Sequence, residues 1–450
     1  MKELINKYNV PAPRYTSYPT VPCWDAVKPG TETWMTSVKT AYNAADGLSL
    51  YIHLPFCESL CTYCGCNTRI TKNHGVEMPY IEALLKEWRI YRDIIGPAPN
   101  IKEIHLGGGT PTFFKPGNLR FLLTGILNGC GVLPGASFSF EAHPVNTTYE
   151  HLQALADIGF TRLSLGIQDF DPRVQEIINR VQTVKQVETV TSQARALGYQ
   201  SINYDLVYGL PLQTTGGLQR TLWKTMELRP DRIAFYSYAH VPWIKPGQRM
   251  FTEKDLPSVS QKQELHELGR SLLMNAGYRE VGMDHFALPS DGLFLAEAAG
   301  ALHRNFMGYT EHRTSLLLAL GVSSIGDAGT AFAQNEKKLE DYLATIGKGE
   351  LPIMKGHVLS SDDRIIRRQI LNLMCKGETI WNVSDPDELR LCSQARSRLA
   401  PLVEDGLVTC TGNVIHVTAD GKRFLRNICM MLDERLWNGA AAEQKFSRAG

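Results

Sequence analysis

The chain predicts an α/β fold: an open, partial β/α barrel of six parallel strands, with an N-terminal arm before it and a mainly helical C-terminal domain after it. Three observations carry that expectation. Six short apolar runs between residues 48 and 238 alternate with stretches of helical period, the pattern of parallel strands joined by right-handed crossovers. Three of the helical stretches stop alike, in "DIGF", "ALGY" and "NAGY". There Gly159, Gly198 and Gly277 suit the left-handed position that ends a helix, and the aromatic that follows can pack back. Polar segments fall just after the runs, where parallel α/β folds gather their active sites. The expected division is an arm over 1–45, the barrel over 46–290 and the C-terminal domain over 291–450.

Taken in order, residues 1–45 show neither helical nor strand period. "PAPRYTSYPTVPCWD" carries four prolines and several aromatics, which fits a segment that wraps a surface rather than building its own core. The strands are "LSLYIHL" (48–54), "IKEIHL" (101–106), "SFSFEA" (137–142), "RLSLGI" (162–167), "SINYDLV" (201–207) and "RIAFYSY" (232–238). Between them "HLQALADIGF" and "VETVTSQARALGY" place apolar residues at i, i+3 and i+4. Six such units suit an open barrel better than a closed eightfold one. Past 290, "HRNFMGYT" (303–310) reads as a loop and "DDRIIRRQILNLMCKG" as an amphipathic helix. Residues 395–432 read as helix, hairpin and helix, a winged-helix-like part expected to serve as a lid or packing domain.

Composition narrows the function classes. The 450 residues are 43% hydrophobic and 21% charged, with a net charge of +1, so no basic field recruits nucleic acid. No run of about eighteen apolar residues predicts a membrane span. The first residues, "MKELINKYNVPAPRYTSYP", lack the apolar core of a signal peptide, so a cytoplasmic location is the expectation, with a monomer as the default.

Against that background "FCESLCTYCGCN" (56–67) crowds four cysteines, Cys57, Cys61, Cys64 and Cys66, into ten positions. The other six are scattered and read as small apolar fillers. A disulfide knot fits poorly with a reducing cytosol, and Cys64 and Cys66 are too close in sequence to pair. Zinc usually takes two separated cysteine pairs, and only one cluster is present. Iron–sulfur clusters accept thiolates at short spacing from one loop. Cys57, Cys61 and Cys64 can grip three irons of a four-iron cube and leave the fourth open to a ligand, as a catalytic site requires.

The remaining polar signals gather at the same mouth. "GGGTP" (107–111) follows the second strand, Glu141 ends the third, Gln168 follows the fourth, Asp205 lies within the fifth and "AHVP" (239–242) follows the sixth. Three glycines at a strand end let the backbone approach a ligand, but they are not the G-x-G-x-x-G of a dinucleotide site. Arg180 reads by itself as a solvated charge. His53, His105, His143 and His285 read as structural.

C-x3-C-x2-C after the first strand of such a barrel, with Tyr63 before the third cysteine, resembles the radical S-adenosylmethionine (SAM) superfamily. Within it, "YIHLPFC", "YCGCN", "GGGTP", "LSLGIQDF", "NYDLVYGLP", "GMDHF", "PRYTSYP", "HRNFMGYT" and "FSRAG" resemble the oxygen-independent coproporphyrinogen III oxidases, essentially end to end. The resemblance implies a [4Fe–4S] cluster on Cys57, Cys61 and Cys64. It implies SAM at the open iron and a 5′-deoxyadenosyl radical that abstracts a propionate β-hydrogen. Two propionates of coproporphyrinogen III then become vinyl groups, giving protoporphyrinogen IX. It implies two bound SAM molecules: Tyr51, Gly108, Glu141 and Ile325 at the first, and Tyr63, Gly109, Thr110, Gln168, Arg180, Asp205 and Ala239 at the second. Cys66 is taken as a catalytic thiol that does not bind iron. A low-potential donor such as flavodoxin or ferredoxin is the expected electron source. Arg14 and Arg304 are candidates for the substrate carboxylates, because a guanidinium can fork them. The alternative is a radical-SAM-like haem chaperone that binds haem without decarboxylation; Cys66 and the arm speak against it.

Overall fold

The structure, a computed structural model, describes residues 2–25, 30–439 and 446; "SRAG" (447–450) of the last motif lies outside them. The arm is more regular than expected: α1 (Lys2–Tyr8) and α2 (Thr31–Ala41) are helices. The six predicted runs are all strands: β1 (Leu48–Leu54), β2 (Asn100–Gly108), β3 (Gly131–Ala142), β4 (Arg162–Gln168), β5 (Ser201–Tyr208) and β6 (Arg232–Ser237). They pair in that order, all parallel. Alternation sets their two faces: Leu48, Leu50, Ile52 and Leu54 of β1 are fully buried under the helices, while Ser49, Tyr51 and His53 point the other way.

The crossover helices are α3 (Glu77–Ile95), α4 (Pro116–Leu127), α5 (Tyr149–Ala156), α6 (Pro172–Ile177), α7 (Val184–Ala196), α8 (Thr215–Leu228) and, after β6, α9 (Val259–Asn275). The three glycine stops form as read. Gly159, Gly198 and Gly277 have φ of 107°, 86° and 94°. The next amide donates to the carbonyl five residues back, Phe160 to Leu155, Tyr199 to Ala194 and Tyr278 to Leu273, each at 3.1 Å, and all three rings are buried.

Beyond residue 279 the structure departs from the helical expectation. β7 (Arg279–Val281) and β8 (His285–Ala287) extend one edge of the sheet. Helix α10 (Gly292–Ala298) follows, and "HRNFMGYT" is a hairpin of β9 (His303–Asn305) and β10 (Gly308–Thr310), not a loop. Then β11 (Leu317–Leu320), β12 (Ile325–Asp327), β13 (Ala331–Asn335) and β14 (Ile353–Val358) extend the other edge, with α11 (Leu339–Gly347) between the last two. The twelve-stranded order is β14-β13-β12-β11-β1-β2-β3-β4-β5-β6-β8-β7, open at both ends. Strand β11 pairs with β1 in parallel. Its run is short and wholly apolar, so period alone cannot separate it from a buried helix.

A second core joins the arm to the last helices. Tyr15 and Tyr18 are buried with α12 (Ser361–Lys376), α13 (Pro386–Glu404) and α14 (Leu425–Leu432), and with the sheet of β15 (Glu378–Ile380), β16 (Val408–Thr411) and β17 (Val414–Val417). The Tyr15 hydroxyl donates to Asp433 at 2.9 Å, and Trp24 stacks on Phe332 with ring centroids 5.5 Å apart. No helix among the described residues is long and apolar enough to cross a membrane.

One buried carboxylate ties these additions to the barrel. Glu87 of α3, fully buried, accepts from the Gly321 amide (2.8 Å), the Asn335 amide group (2.6 Å) and the Tyr342 hydroxyl (2.7 Å). Burial pushes it up to about 7, against those three donors. Glu87→Ala strands the Gly321 amide and the Tyr342 hydroxyl and leaves Asn335 only Gly321 and Ser324, so it lowers stability by about 3 kcal/mol, while Glu87→Gln costs less than half of that; thermal unfolding of both variants checks the difference.

Candidate active site at the strand ends

The cysteine loop leaves β1 at the C-terminal edge of the sheet and is clamped along its length. Thr62 donates through its amide to Ile178 (3.0 Å) and through its hydroxyl to Ile177 (2.9 Å). Asn179 holds the Leu60 carbonyl at 2.8 Å, Gln248 holds that of Tyr63 at 3.1 Å and Lys245 that of Cys66 at 3.2 Å. Asn67 donates to Lys337 at 3.0 Å. The loop's shape is therefore set by the protein around it.

The four thiols have different surroundings. The Thr110 hydroxyl lies 3.3 Å from the Cys57 sulfur, and Arg180 reaches that of Cys61 at 3.5 Å. Burial pushes the Cys57 thiol up to about 11. A hydrogen bond from the Cys66 thiol outweighs burial at Cys64 and brings it down to about 6. Cys66 itself is exposed, its amide donates to the Cys64 sulfur at 3.4 Å, and Glu141 acts on its thiol electrostatically. All ten cysteines are free.

The glycines of "GGGTP" are closely packed. A Cβ on Gly108, at φ 110°, would fall 2.5 Å from the His53 ring, and one on Gly109 would fall 2.6 Å from the Pro55 carbonyl. The Cβ position of Gly107 lies 3.0 Å from Tyr51 and 3.1 Å from Glu141. The segment is pressed against the exit of β1, with Gly109 donating to Leu54 at 2.8 Å and Thr110 to Phe56 at 3.0 Å.

Tyr51, Gly108 and Glu141 come together. The Gly108 amide donates to Glu141 at 3.2 Å, and His105 lies 3.5 Å from the same carboxylate. Burial opposes ionisation of Glu141, but His105 and the Gly108 amide outweigh it and hold the group below its usual range. His53 is kept neutral by burial, so Nε2 donates to the Asn67 carbonyl at 2.9 Å and Nδ1 accepts from the Tyr51 hydroxyl at 3.0 Å. His53 and His105, read from sequence as structural, thus orient Tyr51 and Glu141. Their inward positions on β1 and β2 were the available signal. Ile325 opens β12, two strands from β1, and packs beside Trp24 and Phe332.

The second set gathers around Gly166. Arg180 is not solvated: Asn179 turns the chain at φ 50°, and the guanidinium donates to the Gly166 carbonyl at 2.6 and 3.1 Å. Gln168 has φ 66° beside a register shift in β4 and approaches the same glycine. Asp205 is opposite Gly166 in register. Gln248, which sequence reading missed, bridges the carbonyls of Tyr63 (3.1 Å) and Ala239 (3.2 Å) and accepts from the Val241 amide at 2.6 Å. Thr110 lies beside the Cys57 sulfur.

Below the mouth a cavity of ≈ 210 Å³ is lined by Glu141, Asp205, Tyr236, His285, Met307 and Tyr309, among others. Buried ion pairs close its floor: Arg232 with Asp291 at 2.5 Å and with Glu311, and Arg162 with Glu311 at 3.2 Å. The hairpin is tied in where Thr310 donates to Glu103 at 2.7 Å.

Asp205 accepts from Ser164 at 3.0 Å and Asn203 at 2.9 Å, yet burial, and then the Glu141 charge, raise it from 3.8 to about 6. A raised carboxyl contributes stability that is present below pH 3.8 and is lost as pH rises through about 6. Asp205→Asn therefore gains on the parent as pH rises from 4 to 7, by on the order of 1–3 kcal/mol. Thermal midpoints of both proteins across that range check it; a constant difference would contradict it.

The residues fit an iron–sulfur cluster. Three thiols sit on one clamped loop, and two of them meet a hydroxyl or guanidinium able to donate to a charged sulfur. Iron–sulfur clusters accept thiolates at such short spacing from one loop.

Residues 51–222 match the Radical SAM superfamily. The chain is 38% identical to the oxygen-independent coproporphyrinogen III oxidase of Pseudomonas aeruginosa, over 99% of this chain and 98% of the relative. It is 37% identical to that of Escherichia coli K12, over 99% and 97%. The solved structure of coproporphyrinogen III oxidase from Escherichia coli, a radical SAM enzyme, superposes with a TM-score of 0.88 at 35% identity, covering 96% of this chain and 98% of that one. With the fold, the clamped three-thiol loop and relatives matched from end to end, this chain belongs to the oxygen-independent coproporphyrinogen III oxidase family of radical SAM enzymes.

Proposed function

We propose that the chain carries out the anaerobic oxidative decarboxylation of two propionates of coproporphyrinogen III to vinyl groups, yielding protoporphyrinogen IX. The observation that carries this is the three-thiol loop at the strand ends of a chain whose end-to-end relatives bear that activity in their names. When bound, a [4Fe–4S] cluster and SAM supply a low-potential electron and the 5′-deoxyadenosyl radical that removes a propionate β-hydrogen.

The chain's residues supply position. Cys57, Cys61 and Cys64 hold the cluster, with Thr110 and Arg180 beside two of the sulfurs. Tyr51, Gly108, Glu141 and Ile325 hold one SAM. The Glu141 carboxylate, kept ionised by His105 and the Gly108 amide, takes ribose hydroxyls or an ammonium group. Tyr63, Gly109, Thr110, Gln168, Arg180, Asp205 and Ala239 serve a second SAM. Cys66 offers its Sγ proton or hydrogen at the mouth without binding iron. Residues 46–290, joined by Ile325, hold the cofactors, and the arm (1–45) with the rest of 291–450 serves the substrate. The protein works as a cytoplasmic monomer fed by a flavodoxin or ferredoxin.

The test is anaerobic incubation of the cluster-loaded protein with reductant, SAM and coproporphyrinogen III, then chromatography of the oxidised products. Protoporphyrin supports the reading. Recovery of coproporphyrin alone from active, cluster-loaded protein would refute it.

A further inference from the structure

A second cavity, of ≈ 920 Å³, lies at the opposite end of the strands from the cysteine loop. Asp46, just before β1, and Leu317, the first residue of β11, stand at its edge, so it opens under the N-terminal ends of these parallel strands. The seven residues of β1 put about 20 Å between it and the mouth. One wall is α12. Arg364, Arg367, Arg368, Leu371, Cys375 and Lys376 line the cavity at the i, i+3, i+4 spacing of a single helix face. Ile366, Ile370, Leu373 and Met374 on the other face are buried in the second core. The hairpin supplies another wall. His303 and Asn305 of β9 line the cavity, and Arg304 between them turns away, over the Tyr309 ring at 4.4 Å.

The charges on these walls do not balance. Three carboxylates line the cavity, and all are engaged. Asp46 accepts from Asn43 at 2.8 Å, Asp327 pairs with Arg367, and Glu311 pairs with Arg162 at 3.2 Å and with Arg232. Five cations line it, Arg313 and the four of α12. Arg368 is paired with Glu388. Among the described residues the Arg313 and Lys376 side chains make no hydrogen bond or ion pair, and the Arg364 guanidinium meets only Ser361, at 3.5 Å. All three side chains are exposed, so a ligand can reach them. Burial first, and then Arg313 and Arg367 from separate segments, bring the His303 imidazole down to about 4, so it stays neutral with two cations in electrostatic reach. In a chain whose net charge is only +1, this is a local positive field over a cleft. Leu302, Leu317 and Leu371 lie among the charges.

We propose that this cavity is a second binding site, for an organic anion with two or more carboxylates on an apolar body, and that the anion is a carboxylated tetrapyrrole. The choice of tetrapyrrole rests on the function proposed above, which brings a tetracarboxylate and a dicarboxylate of that class to the protein. The volume falls in the ~300–1,000 Å³ range of pockets that enclose organic ligands and is too large for a lone inorganic ion. Guanidinium groups at Arg313 and Arg364 fork carboxylates, Lys376 supplies a point charge, and the three leucines take the apolar body. Arg364 and Lys376 stand at the two ends of the helix face, about 18 Å apart along α12, so they suit carboxylates on opposite rims of one ligand. A ligand held here is out of reach of the chemistry at the mouth and is bound without turnover.

The test is an anaerobic fluorescence titration of full-length, cluster-loaded protein with coproporphyrin III, the equivalents bound being read from the break in the curve. The parent is compared with Arg364→Ala, Arg364→Lys and a triple variant that combines Arg313→Ala, Arg364→Ala and Lys376→Met. The parent is expected to bind one equivalent more than the triple variant. Arg364→Ala weakens that extra equivalent about tenfold, and Arg364→Lys recovers part of the loss. Iron content and thermal midpoint stay at the parent values throughout. Displacement of the extra equivalent by equimolar ATP would mark a phosphate site and overturn the assignment to carboxylates. Turnover of coproporphyrinogen III by the same parent preparation separates the site from the reaction. If the parent makes divinyl product but binds no more than the triple variant, the site is wrong and the proposed function stands. If it makes none and still binds the extra equivalent, the site stands and the reaction is wrong. If it makes none and binds no extra equivalent, both fall.

Discussion

Replacing Cys57, Cys61 or Cys64 by alanine removes most of the bound iron and sulfide and drops vinyl formation to below about a thousandth of the parent rate. The loop gives the physical reason. Its backbone is held by Thr62, Gln248, Lys245 and Asn67, contacts that do not involve the thiols. Losing one sulfur therefore leaves a folded loop with two ligands rather than an unfolded one. Iron, sulfide and thermal midpoint measured on each variant separate the cases. Full iron and sulfide after any one replacement would sink the three-ligand assignment.

Cys66→Ser keeps the brown colour and the iron count and loses vinyl formation by at least about a hundredfold. Cys66 lies two residues past Cys64, exposed at the mouth, with its thiol against the Cys64 sulfur and within reach of the Glu141 charge. In the role proposed for it, this thiol would face whatever lies over the cluster. The variant continues to cleave SAM slowly without product. Iron, 5′-deoxyadenosine and protoporphyrinogen are measured on one preparation. Lost iron makes Cys66 a ligand, and undiminished product makes it a bystander.

What could be read from the sequence was what the local chain decides. The six strands declare themselves by alternation, the three helix stops by a glycine and an aromatic, and the cysteine loop by spacing. What escaped depends on partners far along the chain. Strand β11 becomes a strand because β1 offers it a parallel edge, about 270 residues earlier. Arg180 looks solvated until the turn at Asn179 brings it back to Gly166 and Cys61. Gln248 carries no motif, and only the approach of the cysteine loop to the segment after β6 gives its amide two carbonyls to join. His53 and His105 could have been found, since inward positions at the mouth of parallel strands are where functional side chains stand. The packing of Gly108 against His53 and of Gly109 against Pro55 carries no sequence signal, because those partners lie on the separate strand exit of β1.

A radical delivered at the mouth to the ring-attached carbon of a propionate is traced directly by deuterium. Coproporphyrinogen III deuterated at the β-carbons of its propionates is turned over anaerobically with SAM and reductant, and 5′-deoxyadenosine is analysed by mass. The account predicts deuterium in 5′-deoxyadenosine and two molecules of it for each protoporphyrinogen formed, with the deuterium absent in Cys57→Ala. Divinyl product formed while 5′-deoxyadenosine stays free of deuterium would contradict it.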